Sequence, residues 1–334
     1  MISVGLNSGI KAYMPVEELN YKDLEGKTLA VDIFNSLYQF LSAIRTPDGN
    51  LLERNGTVVS HLYGILWRYG YLLSIGAKLI FVFDGKPSEM KLKTIEERHK
   101  EKEETQRKIE IAELEGNEKE VARLKRLNAR IDDQIIESTK KLASLLGIDY
   151  IDAPEEGEAE AVHLVKNGFA DYVVTQDYDV IAYDCKKILR NIGVRKGKHY
   201  VKINRINSDL VFKTMGVTRD QFLYIAFMTG TDYNDGINNI GVKRALKLAK
   251  ASNSEEELVN NLINENYISE SERDKVLNDL KNVVYKFKHP NVIDGKFIVK
   301  NSFNKKGLIE YLESLNFNVN RFMPMIEKIE SVKH

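Results

Sequence analysis

The chain has 334 residues, 49 basic against 49 acidic side chains, a formal net charge of zero and a single cysteine, Cys185. That length buries a sizeable core and exceeds the usual single domain, so one elaborated domain or two are expected. One cysteine excludes an internal disulfide and fits a reducing compartment. The absence of any run of about 18 apolar residues, and of a signal-peptide pattern, excludes a transmembrane helix and predicts a cytoplasmic protein.

KTLAVDIFNSLYQFLSAIR predicts a buried strand ending at Asp32, then a helix with Leu37, Phe40, Leu41 and Ile44 at core spacing, capped by Asn35 or Ser36. Turns at residues 46–50 and at Asn55-Gly56 lead to a second amphipathic helix, SHLYGILWRYGYLLSIG. The strand LIFVFD follows, with Gly85 after Asp84 leaving room for a close backbone approach. From 91 to 130 the composition shifts to Lys, Arg and Glu. This insertion reads as two solvated helices meeting at Gly116-Asn117, with Ile109, Ile111, Leu114, Val121, Leu124 and Leu127 available to zip them together. A plain solvated hairpin explains the pattern equally well.

QIIESTKKLASLLGIDYIDAP predicts a helix stopped by Gly147 and then a strand. EGEAEAVHLVKNG is a helix, DYVVTQDYDV a strand, and KKILRNIGVRKGKHYVKI a hairpin turning at Lys196 to Lys198. His163 reads as a packed or rim histidine. The βαβα order predicts an α/β protein with a central, mostly parallel twisted sheet flanked by helices. After Asp232, YNDGINNIGVKRALKLAK is a turn in which Gly236, Asn239 and Gly241 can take φ > 0, followed by a basic helix opened by Lys243 and Arg244. An ordinary helix-turn-helix joint with a solvated basic face is the alternative. Beyond 250 the chain is helical and polar, with Leu308, Tyr311 and Leu312 on one helix face, and is assigned to packing.

Seven acids, Asp32, Asp84, Glu156, Glu158, Asp177, Asp179 and Asp232, stand at strand ends or tight turns in five separate segments. A lone Asp after an apolar run more often caps a helix or turn than binds an ion, so the reading rests on the set. In an open α/β sheet such segments converge outside the carboxyl ends of the strands. Asp177 and Asp179, two apart on an extended segment, point to one side. So many anions need neutralising cations, and oxygen donors select Mg²⁺ or Mn²⁺ over zinc. Two divalent ions about 3.5–4 Å apart acting on a phosphodiester are predicted. Lys91 and Arg98, two helical turns apart and just after Asp84, are placed to grip the scissile phosphate, with a solvated helix face as the alternative. Setting the seven acids aside leaves a surplus of seven positive charges, enough for a DNA-facing surface.

VDIFNSLYQFLSAIRTPDG, VFDGKP, DAPEEGEAEA, TQDYD, and GTDYNDGI with IGVKRA, in that order and spacing over about residues 20 to 325, resemble the flap endonuclease family of archaea and eukaryotes, part of the structure-specific 5′ nucleases. The resemblance implies a PIN-like nuclease fold with a helical arch at 91–130 and a helix-two-turn-helix segment at 232–250. The nuclease domain would comprise 1–90 and 131–250, with a C-terminal helical extension at 251–334. It implies that Asp32, Asp84, Glu156 and Glu158 hold a first Mg²⁺, with Glu158 shared, and that Asp177, Asp179 and Asp232 hold a second. Lys91 and Arg98 match the family's phosphate-activating pair. Tyr38 matches an aromatic on which a base stacks, although a helical Tyr beside Leu37 and Leu41 also reads as core. Arg45 and the stretch from Ser60 to Arg68 match the part touching bent duplex and the 3′ flap. Gly236, Ile237 and Ile240 match carbonyls that hold K⁺ against the DNA.

Three positions depart from the family pattern. Asn239 replaces a usual Gly, and Asn tolerates the left-handed region. The start MISVGLNSG aligns Val4-Gly5 with the family's Met-Gly, making the first three residues an extension. The tail RFMPMIEKIESVKH shows no glutamine-and-paired-aromatic motif for a sliding clamp. The expected function is a monomeric Mg²⁺-dependent 5′ flap endonuclease with 5′ exonuclease activity, cleaving branched DNA to a 5′-phosphate and a 3′-hydroxyl. A relative acting on Holliday junctions, bubbles or nicks is the first alternative. A non-catalytic DNA-junction-binding module is the second, and a toxin-like ribonuclease the third.

Overall fold

The structure, a computed structural model, describes residues 9–196 and 199–333. In chain order the elements are β1 (Glu17–Leu19), β2 (Thr28–Asp32), α1 (Ile33–Ala43), β3 (Glu53–Arg54), β4 (Thr57–Val58), α2 (Ser60–Ser74), β5 (Lys78–Phe83), α3 (Leu92–Leu114), α4 (Glu118–Leu127), α5 (Asp133–Leu146), β6 (Asp149–Asp152) and α6 (Gly157–Lys166). They continue as β7 (Tyr172–Val174), β8 (Ile188–Arg190), β9 (Arg195–Lys196), β10 (His199–Tyr200), β11 (Ile203–Ile206), α7 (Ser208–Met215), α8 (Arg219–Thr229), α9 (Val242–Lys250), α10 (Glu255–Asn264), α11 (Arg273–Lys288), α12 (Lys305–Ser314) and α13 (Met323–Lys333).

One seven-stranded sheet runs β1-β11-β8-β7-β2-β5-β6. Its β8-β7-β2-β5-β6 portion is parallel, and β11 and β1 add an antiparallel edge. Strand alternation divides the core between two faces. Ala30, Ile80, Val82, Ile151 and Val173 pack with α6, α8 and α11 on one side. Leu29, Val31, Leu79, Phe81 and Val174 pack with α1, α2, α5, α12 and α13 on the other. From β2 the chain progresses outward through β5 to β6, then returns to β7 on the opposite side of β2. The order therefore reverses between β2 and β7, and the crevice at their carboxyl ends is where such a fold places its ligands.

Several local expectations need correcting. Helix α1 is capped by Asp32 itself, whose side chain accepts from the Asn35 amide, while Asn35 and Ser36 lie inside the first turn. The DYVVTQDYDV strand stops at Val174. The Asp177 carboxylate accepts the Asp179 amide at 3.0 Å, and Asp179–Ile181 forms a 3-10 turn, so the two acids do not share an extended face. A short acidic side chain that bonds its own backbone two residues on favours that turn over a strand. Gly236 and Asn239 have positive φ, whereas Gly241 is extended at the start of α9.

In the insertion, Ile109, Ala112, Val121 and Leu124 form a small core of their own, while Ile111, Leu114 and Leu127 are exposed. The helices touch along one stripe, so only residues on that stripe are covered. The expected 196–198 turn lies between β9 and β10, which pair antiparallel, and residues 197–198 fall outside the described residues. Val4-Gly5 also lies outside them.

Helices α2 and α5 pack through a polar contact from the buried His61, Nε2 to the half-buried Ser138 Oγ at 2.8 Å. Burial pushes the His61 imidazole down to about 4, against a smaller opposing pull from Asp132. The folded protein thus keeps His61 neutral at pH values where the unfolded chain is protonated. Stability is complete above the unfolded value of about 6.5 and falls as pH drops toward 4, by about 3 kcal/mol from this group alone. His61→Gln is expected to lose less melting temperature than wild type between pH 7 and pH 4.5. An equal loss in both proteins would contradict this.

Candidate metal centre and nucleic-acid face

At the crevice, β2 ends in Asp32, which is buried. One carboxylate oxygen accepts the Asn35 amide at 3.0 Å, and the other lies 3.1 Å from the Thr175 hydroxyl. Thr175, buried just past β7, also lies 3.3 Å from Glu158 Oε1, so a single hydroxyl proton is shared between two carboxylates. Its oxygen in turn accepts the Asp177 amide at 3.1 Å. Sequence reading passed over Thr175. Its position one residue beyond a buried strand at the switch point was the available signal.

Asp84 follows β5 and accepts the Gly157 amide at 2.7 Å. The Gly85 amide donates to the Glu155 carbonyl at 2.7 Å. A Cβ on Gly85 would stand 2.0 Å from the Ala153 carbonyl oxygen, so only glycine lets the 153–157 loop lie across the end of β5. This contact brings Glu156, at the N-cap of α6, and Glu158, in its first turn, toward Asp84. A helix N-terminus favours negative charge there.

Lys91 Nζ lies 2.5 Å from Glu156 and 2.9 Å from Asp232. Arg98 pairs with Asp232 as well, and the Thr94 hydroxyl donates to the Asp232 carbonyl at 3.0 Å. The foot of α3 is thereby fastened to the turn after α8.

The seven acids feel one another's charge. Burial, then repulsion from Asp84, raises Asp32 to about 7. Burial raises Asp84 to about 6, with Glu156 and Asp232 pushing the same way against the Gly157 amide and Lys91. Glu158 is held well above the ordinary range by burial and then by Asp177, Asp32, Asp179 and Asp232. Asp179 is raised by burial, Asp177 and Asp232, with Lys91 and Arg98 opposing. Burial pushes Asp232 up, but Lys91 and Arg98 outweigh it and hold Asp232 below its ordinary value. The Lys91 ammonium is depressed by burial, yet Asp232 and Glu156 carry it above its ordinary value.

As they stand, no three Asp, Glu, His or Cys side chains among the described residues close around one point at coordinating distance. Lys91 stands between two of the acids, Glu156 and Asp232. The donor chemistry fits a hard divalent cation. All the groups are carboxylates, and the raised pKa values of Asp32, Asp84, Glu158 and Asp179 are a cost that positive charge would relieve. Cys185 is buried in the core, and the half-buried His163 contacts Asn167, so neither joins the cluster.

The other candidates lie around this centre. Tyr38 is 42% exposed, with the Lys102 ammonium 5.3 Å from its ring centroid, so it is not a core residue. Arg45 donates from Nε to the Leu41 carbonyl at 2.6 Å and from Nη1 to the Gly49 carbonyl at 2.7 Å, bracing the loop after α1. Arg68 stacks over Phe40 at 4.5 Å and donates to Gln39 at 3.0 Å. It borders an open cavity of about 740 Å³ whose lining includes Phe40, Ile44, Trp67, Val194 and Arg321, with the Arg321 guanidinium over the Trp67 ring. Sequence reading placed Trp67 only within the Ser60 to Arg68 stretch matched to bent duplex and the 3′ flap, and gave Arg321 no role. Lys243 and Arg244 are exposed on the first turn of α9, and Arg244 donates to the Asn239 carbonyl. In the 236–240 turn, the Ile237 carbonyl accepts the Ile240 amide at 3.1 Å.

The XPG N-terminal domain family matches residues 1–105, and the XPG I-region family matches 147–232. Flap endonuclease 1 of Methanosarcina barkeri is 35% identical over 325 residues, covering 94% of this chain and 93% of that protein. Flap endonuclease 1 of Saccharolobus solfataricus is 43% identical over 243 residues, 70% of each chain. Among solved structures, flap endonuclease-1 from Methanococcus jannaschii superposes with a TM-score of 0.71 at 28% identity, covering 97% of this chain and 98% of that one. The catalytic core of Rad2 in complex with DNA substrate (TM-score 0.69, 22% identity, 93% and 96% coverage) shares the fold. With two archaeal relatives above 30% identity, one matched over nearly its whole length, and the acidic segments meeting at the sheet's switch point, this chain belongs to the flap endonuclease family, of the archaeal type.

Proposed function

We propose that this chain is a structure-specific 5′ flap endonuclease, a metal-dependent hydrolase of DNA phosphodiesters in replication and repair, with an associated 5′ exonuclease activity. The observation that carries this is the knot of mutually repelling carboxylates at the crevice between β2 and β7, capped by the foot of a basic helical hairpin through Lys91 and Arg98.

Asp32, Asp84, Glu156 and Glu158 would hold one Mg²⁺ or Mn²⁺, and Asp177, Asp179 and Asp232 a second. When bound, such ions supply Lewis acidity toward the phosphodiester. Thr175 and the Asn35 amide fix the direction of the Asp32 carboxylate. Lys91 and Arg98, now on Glu156 and Asp232, are within reach of an anionic group arriving above the acids and would bind the scissile phosphate. Residues 91–130 would act as an arch over the unpaired strand, on a nuclease domain formed by 1–90 and 131–250 and carrying the extension 251–334. Tyr38, exposed below the arch, would stack a base, an interaction worth about 1–3 kcal/mol. Arg45 and Arg68 would contact the bent duplex. Lys243 and Arg244 would bind phosphates of the other duplex, beside a K⁺ held by the carbonyls of Gly236, Ile237 and Ile240. Recognition of this kind reads DNA shape more than base identity.

Cleavage rates in Mg²⁺ on a 5′ flap, a four-way junction, a bubble and a nicked duplex test the proposal. The flap is expected to be cut fastest, with binding that weakens steeply as salt rises. A preference for any other substrate would overturn the flap assignment.

A further inference from the structure

The last turn of α11 and the segment after it reach three separate parts of the acidic crevice. Lys286 forms an ion pair with Glu155, and both side chains are largely covered, at 14% and 19% exposure. Asn291 Nδ2 donates to the other Glu155 oxygen at 3.3 Å. Glu155 immediately precedes Glu156, and its carbonyl receives the amide of Gly85, the residue after Asp84. The Lys286 ammonium also lies 5.9 Å from the ring centroid of Tyr233, which follows Asp232.

Next along the helix, Phe287 meets Tyr183 edge-on at 4.9 Å and Tyr233 at 5.3 Å, and these tyrosines join hydroxyls at 2.7 Å. Tyr183 stands just beyond the Asp179–Ile181 turn. Finally the Ile293 amide donates to Glu160 Oε2 at 2.8 Å, within the α6 helix that carries Glu158.

We infer that the end of α11 is a strut that sets the spacing of the metal-binding segments, and that Lys286, acting through Glu155, is a positioning residue for the Glu156–Glu158 turn. The inference rests on the proposed metal centre. Glu155 adds another anion beside an already crowded set. Lys286 neutralises it and pins it on the side of α11, so its charge neither repels Glu156 nor competes for a cation. Removing one member of such a covered pair leaves the other charge uncompensated, whereas removing both leaves none.

Mn²⁺ binding in the absence of DNA, read by electron paramagnetic resonance, and steady-state cleavage of a 5′ flap test this. The proteins are wild type, Lys286→Met, Lys286→Arg, Glu155→Gln and the Lys286→Met/Glu155→Gln double variant. Lys286→Met is expected to weaken Mn²⁺ binding and to lower kcat by about 10-fold, the lower end of what residues behind metal ligands contribute, with KM for DNA within about twofold. Lys286→Arg should recover most of both losses. The double variant should be no worse than Lys286→Met alone, as expected of residues acting as one unit.

Wild-type Mn²⁺ affinity and kcat in Lys286→Met, a loss confined to melting temperature, or single losses that multiply in the double variant would each overturn the inference. Should Lys286→Met fail to fold, the near-isosteric Glu155→Gln gives the same reading, and unaltered Mn²⁺ affinity there would overturn it. A wild-type protein that binds no Mn²⁺ would overturn the metal centre and the strut together. Normal wild-type binding with unaltered variants would overturn the strut alone.

Discussion

Asp179→Ala is expected to lower 5′ flap cleavage in Mg²⁺ by roughly 10³-fold or more while leaving DNA binding in place. Asp179 is half-buried at the crevice, and its pKa is pushed up by desolvation and by Asp177 and Asp232. The structural part of the residue is its backbone amide, which the Asp177 carboxylate accepts at 3.0 Å and which alanine retains. The turn should therefore persist. Since the substitution removes a desolvated, mutually repelling carboxylate, the metal-free variant should melt no lower than wild type at pH 8. Cleavage rate and flap affinity measured side by side check the prediction. Undiminished cleavage with DNA binding intact would remove Asp179 from the metal assignment.

Lys91→Met should produce two effects of opposite sign. Lys91 sits between Glu156 and Asp232 as a tethered cation, 2.5 and 2.9 Å from them. A divalent ion taking Glu156 or Asp232 must compete with that ammonium. Without it, Mn²⁺ should bind the DNA-free protein more tightly. Cleavage should nevertheless fall by roughly 10²-fold, comparable to the loss of one electrostatic contact to a reacting group. Arg98→Met should show the same trend more weakly, because Arg98 is more exposed and pairs only with Asp232 among the acids. Mn²⁺ titration together with single-turnover cleavage separates the two effects. Weaker Mn²⁺ binding in Lys91→Met would show that Lys91 supports the acidic site and does not compete for it.

Much of the architecture was legible because the apolar runs were strong. TLAVD and KLIFVF became β2 and β5, the Gly147 stop was found, and the composition shift at 91 marked where α3 leaves the globular body. The acids, too, were legible as a set, since each stands at the end of an apolar run or beside a tight turn. What escaped was short-range polar chemistry. Asp32 caps α1 with one carboxylate oxygen and meets the Thr175 hydroxyl with the other, a cap that the apolar run before it did not announce. Asp177 and Asp179 look two apart on a strand, but an aspartate that can accept the amide two residues on makes a turn instead.

The C-terminal extension was read as packing, yet Lys286 and Phe287 reach Glu155, Tyr183 and Tyr233 beside the centre. Those contacts join residues more than fifty positions apart, and no periodicity in a polar helix announces them. The zero net charge was similarly uninformative. It sums an acidic knot at the crevice with an exposed basic surface, and only the fold separates the two.

Diffraction from crystals soaked in Mn²⁺, with data collected at the manganese edge, tests the central claim most directly. Two anomalous peaks about 4 Å apart are expected, one among Asp32, Asp84, Glu156 and Glu158 and the other among Asp177, Asp179 and Asp232, with Lys91 drawn away from Glu156. Peaks elsewhere, or none between β2 and β7, would contradict the account.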